Sequence, residues 1–197
     1  MVSVLAKAKF PGFEMEVRNH EFHLEPEFAD ELREYVSDFK DKPWDSYNLF
    51  DEDADCIRKL AEIIHNEVSQ FNHNAEKRYD LYINGWVNVL WKWDSIKPHW
   101  HSAEKNSYYS CNISLDNYES KTLFYPPWGD RNGHIIEMEN NKGQGWFFPA
   151  WLWHEVPTIQ DEERFTIGLD VHTRDAYIKR DEDAPINRSR VLHEIYT

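Results

Sequence analysis

Cysteine is nearly missing from this 197-residue chain: Cys56 and Cys111 are all there is. They form neither a CxxC pair nor a spaced framework, which excludes a disulfide-stapled scaffold. Basic charge is also scarce, since 22 Lys and Arg stand against 36 Asp and Glu, for a formal charge of −14. A surface of that sign aids solubility and repels phosphate backbones and anionic bilayers, so neither nucleic acid nor membrane is an expected partner. No apolar run is long enough to cross a bilayer. The opening Met1-Val2-Ser3-Val4-Leu5-Ala6-Lys7 reaches lysine too soon for the apolar stretch of a signal peptide. Repeats, low-complexity tracts and linkers are missing as well. The expectation is one cytoplasmic domain over 1–197, long enough to bury a sizeable core.

Aromatics are abundant: nine Trp, ten Tyr and eleven Phe. Much of that surface must be core, and some rings are available to line a pocket. Two amphipathic helices are predicted in the first part of the chain, a helical support over roughly 1–78. Phe28, Leu32, Tyr35, Val36 and Phe39 recur at helical spacing over 27–40, after Pro26. Ala54, Ile57, Leu60, Ala61, Ile64, Val68 and Phe71 do the same over 52–72, with Asp51 as the expected N-cap. From about residue 79 the pattern changes to period two, and strands are predicted at 81–92, 97–102, 107–115, 121–125, 134–138, 145–149, 153–158 and 164–172. A tail, 174–197, follows. Many short strands behind a helical support predict a mainly β fold, a double-stranded β-helix (jelly-roll, cupin-like barrel) open at one end.

Four signals occur in order along that barrel. His99 and His101 flank Trp100, and alternation on a strand puts both imidazoles on one side. Neutral imidazole is a ligand for iron and zinc. The apolar strand of Gly145-Trp146-Phe147-Phe148-Pro149 ends in proline, and His154 stands at the start of the next strand. Arg164 and Thr166 then share one face of a strand whose other face carries Phe165, Ile167, Leu169 and Val171. A cation on the inner face needs a partner, because burying it unpaired is costly. One candidate is a bound carboxylate, which the guanidinium fork matches with two hydrogen bonds. The other is a salt bridge to Asp161, Glu162, Glu163 or Asp170.

From about Gly85 to Thr173 this order resembles the iron(II)- and 2-oxoglutarate-dependent oxygenases, and in particular a small phage and bacterial group that carries H-x-H in place of H-x-D. The resemblance implies that His99 and His154 are metal-binding histidines. His101 would take the place of the usual carboxylate ligand, with Glu104 as the less favoured substitute. It implies that Arg164, assisted by Thr166, holds the distal carboxylate of 2-oxoglutarate, with Asn88, Tyr109 or Tyr125 reaching the co-substrate from neighbouring strands. The implied activity is that of a dioxygenase: Fe(II) with 2-oxoglutarate and dioxygen as co-substrates, acting on a small molecule or peptide, with hydroxylation the usual outcome. Phe147, Phe148, Trp151 and Trp153 are candidates for a dry wall, and 126–144 for a lid. A cupin-type metalloprotein without 2-oxoglutarate, using His99, His101, Glu104 and His154, is the alternative. A sugar-binding β-sandwich with aromatic platforms is a third class.

Overall fold

The computed structural model describes residues 2–10, 13–72, 81–101, 107–126, 135–173 and 190–192. Their strands are β1 (Val2–Phe10), β2 (Phe13–His23), β3 (Leu81–Trp91), β4 (Ile96–His99), β5 (Ser107–Ser114), β6 (Tyr118–Tyr125), β7 (Ile136–Asn140), β8 (Gln144–Pro149), β9 (Trp153–Val156), β10 (Glu163–Thr173) and β11 (Arg190–Leu192); the helices are α1 (Pro26–Val36) and α2 (Asp55–Asn72). A larger sheet runs β1-β2-β8-β5-β10-β3-β11 and a smaller one runs β4-β9-β6-β7. The described pairings are antiparallel. This is the predicted double-stranded β-helix.

The division of labour follows from the alternation of β10. Phe165, Ile167, Leu169 and Val171 sit opposite Val89, Val87, Gly85 and Ile83 of β3, and Ile167, Leu169 and Val171 opposite Ile113, Cys111 and Tyr109 of β5.

 On this face they meet the apolar stripes of the helices, Phe28, Leu32 and Val36 from α1 and Ile57, Leu60, Ile64 and Val68 from α2, all buried in one core. The opposite face of β10 carries Arg164, Thr166, Gly168, Asp170 and His172, and it looks into the space between the two sheets, together with Ser110, Asn112 and Ser114 of β5 at the paired positions. One strand thus supplies an apolar outer face and a polar inner one.

Beyond its pairing with β11, the edge of β3 is closed by side chains. Asn48 accepts the Gly85 N–H at 2.9 Å, and the Tyr47 hydroxyl accepts that of Val87 at 2.9 Å. Both precede or open the 3₁₀ turn Leu49–Asp51, whose Phe50 ring lies so near β3 that a Cβ on Gly85 would stand 2.4 Å from it.

Three expectations change. The first part of the chain is not only helical: β1 and β2 form a hairpin, and β2 joins the larger sheet through β8. The stretch 174–197 is not wholly a tail, because β11 adds a strand to β3. Asp51 lies in the 3₁₀ turn, and α2 begins four residues later, at Asp55. Among the described residues no helix is long and apolar enough to cross a membrane, and Cys56 and Cys111 are both buried free thiols.

Candidate metal centre

His99 is the last residue of β4 and sits directly opposite His154 of β9, so both imidazoles leave the smaller sheet on one face. His101 lies two residues past His99, where its N–H donates to the Ala150 carbonyl at 2.8 Å in the turn leaving β8. The three rings have centroids 4.3 Å (His99–His154), 5.2 Å (His99–His101) and 5.0 Å (His101–His154) apart.

Each ring is held by its Nδ1. His99 donates to the Lys97 carbonyl at 2.8 Å and His154 to the Leu152 carbonyl at 2.9 Å. His101 pairs through Nδ1 with the Asp170 carboxylate at 2.7 Å. A carbonyl or carboxylate only accepts, so each Nδ1 carries the hydrogen and each neutral ring keeps its lone pair on Nε2. The ligand atoms of the three histidines lie within 4.8 Å of one another, and the Nε2 atoms of His99 and His101 are 3.2 Å apart. Two lone pairs at that separation repel unless a proton or a cation lies between them. In two of the three rings protonation is disfavoured: burial, then the neighbouring His101 and His99, push His154 down to about 3. Burial, only partly offset by the bond to Lys97, also lowers His99. The donor set therefore fits a transition-metal dication, held from one side with its remaining positions open.

Aromatic rings dry the surroundings. Trp86 stacks on His101 at 5.6 Å and Phe124 on His154 at 5.6 Å, while Phe148 meets His154 edge-on at 4.9 Å. The Trp86 indole lies over Gly168, where a Cβ would come within 2.7 Å of the ring, and its Nε1 donates to Asn88 at 3.1 Å. The cavity between the sheets has a volume of about 620 Å³ and is lined by residues of both, including the three histidines, Arg164 and Asp170.

Arg164 is 1% exposed. One of its terminal nitrogens reaches Thr122 and Asn140, both at 3.3 Å, near the limit for such bonds. Among the described residues its Nε has no partner, and neither does the buried Thr166 hydroxyl. Burial pulls the guanidinium down to about 10. The carboxylates that might neutralise it are engaged elsewhere: Glu163 with Arg33, Glu162 with Lys92, Asp161 with the backbone N–H groups of Glu119 and Ser120, and Asp170 with His101 and Ser110. A buried cation with spare donors on the wall of a cavity can receive an anion, and a carboxylate fits its fork.

The structure thus brings His99, His101, His154, Arg164 and Asn88 to one cavity, with Thr166 beside Arg164 on the inner face of β10 and opposite Asn88. It does not bring Tyr109 or Tyr125 there. Tyr109 is paired with Val171 and packs on the helix-side core. Tyr125 sits opposite the exposed Trp153, and its hydroxyl donates to Glu155. Glu104 and residues 127–134 of the 126–144 lid candidate lie outside the described residues, and of the rest 136–140 form β7, paired with β6. Of the four proposed wall aromatics only Phe148 touches the histidines; Phe147 belongs to the helix-side core, and Trp151 and Trp153 are 47% and 41% exposed. Sequence reasoning missed Trp86, Thr122, Asn140 and the role of Asp170. Asp170 had a signal, since period two places it on the Arg164 face of β10.

No family model and no curated protein matches the sequence. Solved structures do match. A prolyl-4-hydroxylase from Pseudomonas putida shares 12% identity over 79% of this chain and 85% of its own, with a TM-score of 0.65. A Trichoplax adhaerens prolyl hydroxylase, bound to a peptide of the hypoxia inducible factor oxygen degradation domain, shares 12% over 82% and 86%, also at 0.65. The epimerase SnoN, in complex with Fe3+, alpha ketoglutarate and nogalamycin RO, shares 12% over 79% of each chain at 0.59. What this chain has in common with them is the fold: it is a double-stranded β-helix of the kind on which the 2-oxoglutarate- and iron(II)-dependent oxygenases are built.

Proposed function

We propose that this protein is a non-haem iron(II)- and 2-oxoglutarate-dependent dioxygenase that hydroxylates a small molecule or a peptide. The observation that carries the reading is a pairing in one cavity: three histidines whose ligand atoms lie within 4.8 Å of one another, and a buried arginine whose Nε has no partner among the described residues. A cupin-type centre accounts for the first and leaves the second unexplained.

His99, His101 and His154 would hold the iron, their Nδ1 anchors fixing the rings so that the Nε2 atoms need no rearrangement. Arg164 would bind the distal carboxylate of 2-oxoglutarate, with Thr166 donating alongside and Asn140 and Thr122 keeping the guanidinium in place. When bound, iron and 2-oxoglutarate supply the activation of dioxygen toward a substrate C–H bond, with release of succinate and carbon dioxide. The chain's own work is to keep part of the metal's surroundings open, to orient the co-substrate and to exclude water. Trp86, Phe124 and Phe148 exclude it around the histidines. A reducing cytoplasm suits the two buried thiols and a ferrous metal.

The test is an anaerobic titration of the protein with Fe(II) and then 2-oxoglutarate. A visible charge-transfer band is expected in the wild type and not in Arg164→Ala, which should still bind iron. Metal binding without any response to 2-oxoglutarate would favour the cupin alternative. Equal iron content in the wild type and in His154→Ala would refute the site itself.

A further inference from the structure

Three neutral imidazoles leave the full double charge of a ferrous ion uncompensated, whereas a carboxylate ligand would offset one unit of it. Among the described residues, the converging ligand set contains three histidines and no carboxylate. The described cavity wall nevertheless has one acidic residue, Asp170. It is 7% exposed, and its Oδ1 receives the Nδ1–H of His101 at 2.7 Å and the Ser110 hydroxyl at 2.6 Å. His99 and His154 have only backbone carbonyls in the corresponding place. The histidine that stands where a carboxylate ligand would be expected is thus the one that carries a carboxylate behind it.

We propose that Asp170 is the charge-balancing group of the metal centre, acting through His101. This rests on the reading of His99, His101 and His154 as an iron site. Asp170 is a positioning residue: it acts through His101, and one imidazole separates it from the ligand atom. Accepting a strong hydrogen bond from Nδ1 gives the His101 ring partial imidazolate character, which raises the donor strength of Nε2. The negative unit is retained but moved outward by the width of a ring. It stays effective because the surroundings are buried and poorly screened. Ser110 holds the carboxylate so that it turns toward His101.

The chain is built to keep Asp170 there. It lies opposite Ser110 in the β5–β10 ladder, two residues from Gly168, whose missing side chain leaves room for Trp86 to stack on the His101 ring. His101 is gripped between an indole and a carboxylate, and its main chain is tied to Ala150.

The experiment compares wild type, Asp170→Asn and Ser110→Ala under anaerobic conditions, with Fe(II) alone as the probe and a competing chelator to give the affinity. The midpoint potential of the Fe(III)/Fe(II) couple is measured on the same samples. Asn is close in shape to Asp and still accepts both hydrogen bonds, so it removes the charge and little else. The expected result is a loss of about 10- to 100-fold in iron affinity for Asp170→Asn, and less than about a third of that loss, on a logarithmic scale, for Ser110→Ala. The potential should rise in Asp170→Asn, by about 59 mV for every tenfold that Fe(III) binding suffers beyond Fe(II). If Asp170→Asn does not fold, replacing His101 by Nδ-methylhistidine is read instead; it keeps Nε2, removes the donated hydrogen and should shift both quantities the same way. Unchanged affinity and potential in Asp170→Asn, or an equal loss in Ser110→Ala, overturn the proposal and leave the iron reading standing. A wild type that binds no Fe(II) overturns both.

Discussion

Replacing Arg164 by methionine should make the protein without ligands more stable, against the usual outcome for a substitution at a fully buried position. The guanidinium is 1% exposed, with two protein hydrogen bonds at the outer limit of length and, among the described residues, no carboxylate bonded to it. Its fall from an ordinary 12.5 to about 10 is caused by burial, and at about 1.4 kcal/mol per decade it represents roughly 3 kcal/mol of unrelieved desolvation. Methionine fills similar space with no charge. The two long bonds lost are worth about 1 kcal/mol each, and Asn140 and Thr122 keep one another as partners at 3.3 Å. A net gain of about 1 kcal/mol should raise the midpoint of thermal unfolding by about 2–4 °C for a chain of this size. With 2-oxoglutarate and manganese(II) present the order should reverse. The wild type should gain about 2.7 kcal/mol at a hundredfold excess over Kd. The variant should gain almost nothing, because losing a buried charge partner costs about 2–5 kcal/mol of binding. Differential scanning fluorimetry with and without the two ligands reads both effects. A ligand-free variant melting several degrees below the wild type would show Arg164 to be a structural residue with a protein partner. A variant still stabilised by 2-oxoglutarate would remove it from the co-substrate site.

Two further outcomes are expected. Gly168→Ala places a Cβ 2.7 Å from the Trp86 ring; it should destabilise the fold by about 1–3 kcal/mol and weaken metal binding by tilting the indole off His101, which chelator competition and urea unfolding measure separately. The metal-free protein should lose stability as the pH falls below about 6.5. His154 and His99 have folded values depressed below that of the unfolded chain, so the unfolded state takes up protons that the folded state refuses, at up to about 1.4 kcal/mol per pH unit for each ring. Above about pH 7 these histidines should contribute no slope. Urea unfolding at pH 7.5 and about 5.5 in excess chelator checks this, and equal stability would contradict it.

Much of the barrel was legible because strands with one apolar face announce themselves by alternation. In Arg164-Phe165-Thr166-Ile167 the period identifies the strand and also the face that looks into the cavity. The same rule explains the errors. Tyr109 and Tyr125 each stand one residue from the inward position: in β5 the inward residue is Ser110, and in β6 it is Phe124. A slip of one position exchanges the faces completely, and tyrosine gives little sign of which side it takes. The β1–β2 hairpin was missed, although Phe13, Met15 and Val17 alternate with Glu14, Glu16 and Arg18 and Pro11-Gly12 punctuates the two runs. Asn140 and Thr122 could not be found from sequence. Their meaning comes from the smaller sheet folding over the larger one to meet Arg164, a relation that no local pattern encodes.

The three histidines belong to different halves of the sandwich. His99 and His154 are fixed to the smaller sheet, whereas His101 is tied to the larger one at both its main chain and its ring, through Ala150 and Asp170. An ion bound by all three is therefore a clasp across the mouth of the barrel. Drawing the sheets together there converts metal affinity into mechanical closure, so exchange of the amide hydrogens of β4 and β9 should slow on loading while that of α1 and α2 stays as it was.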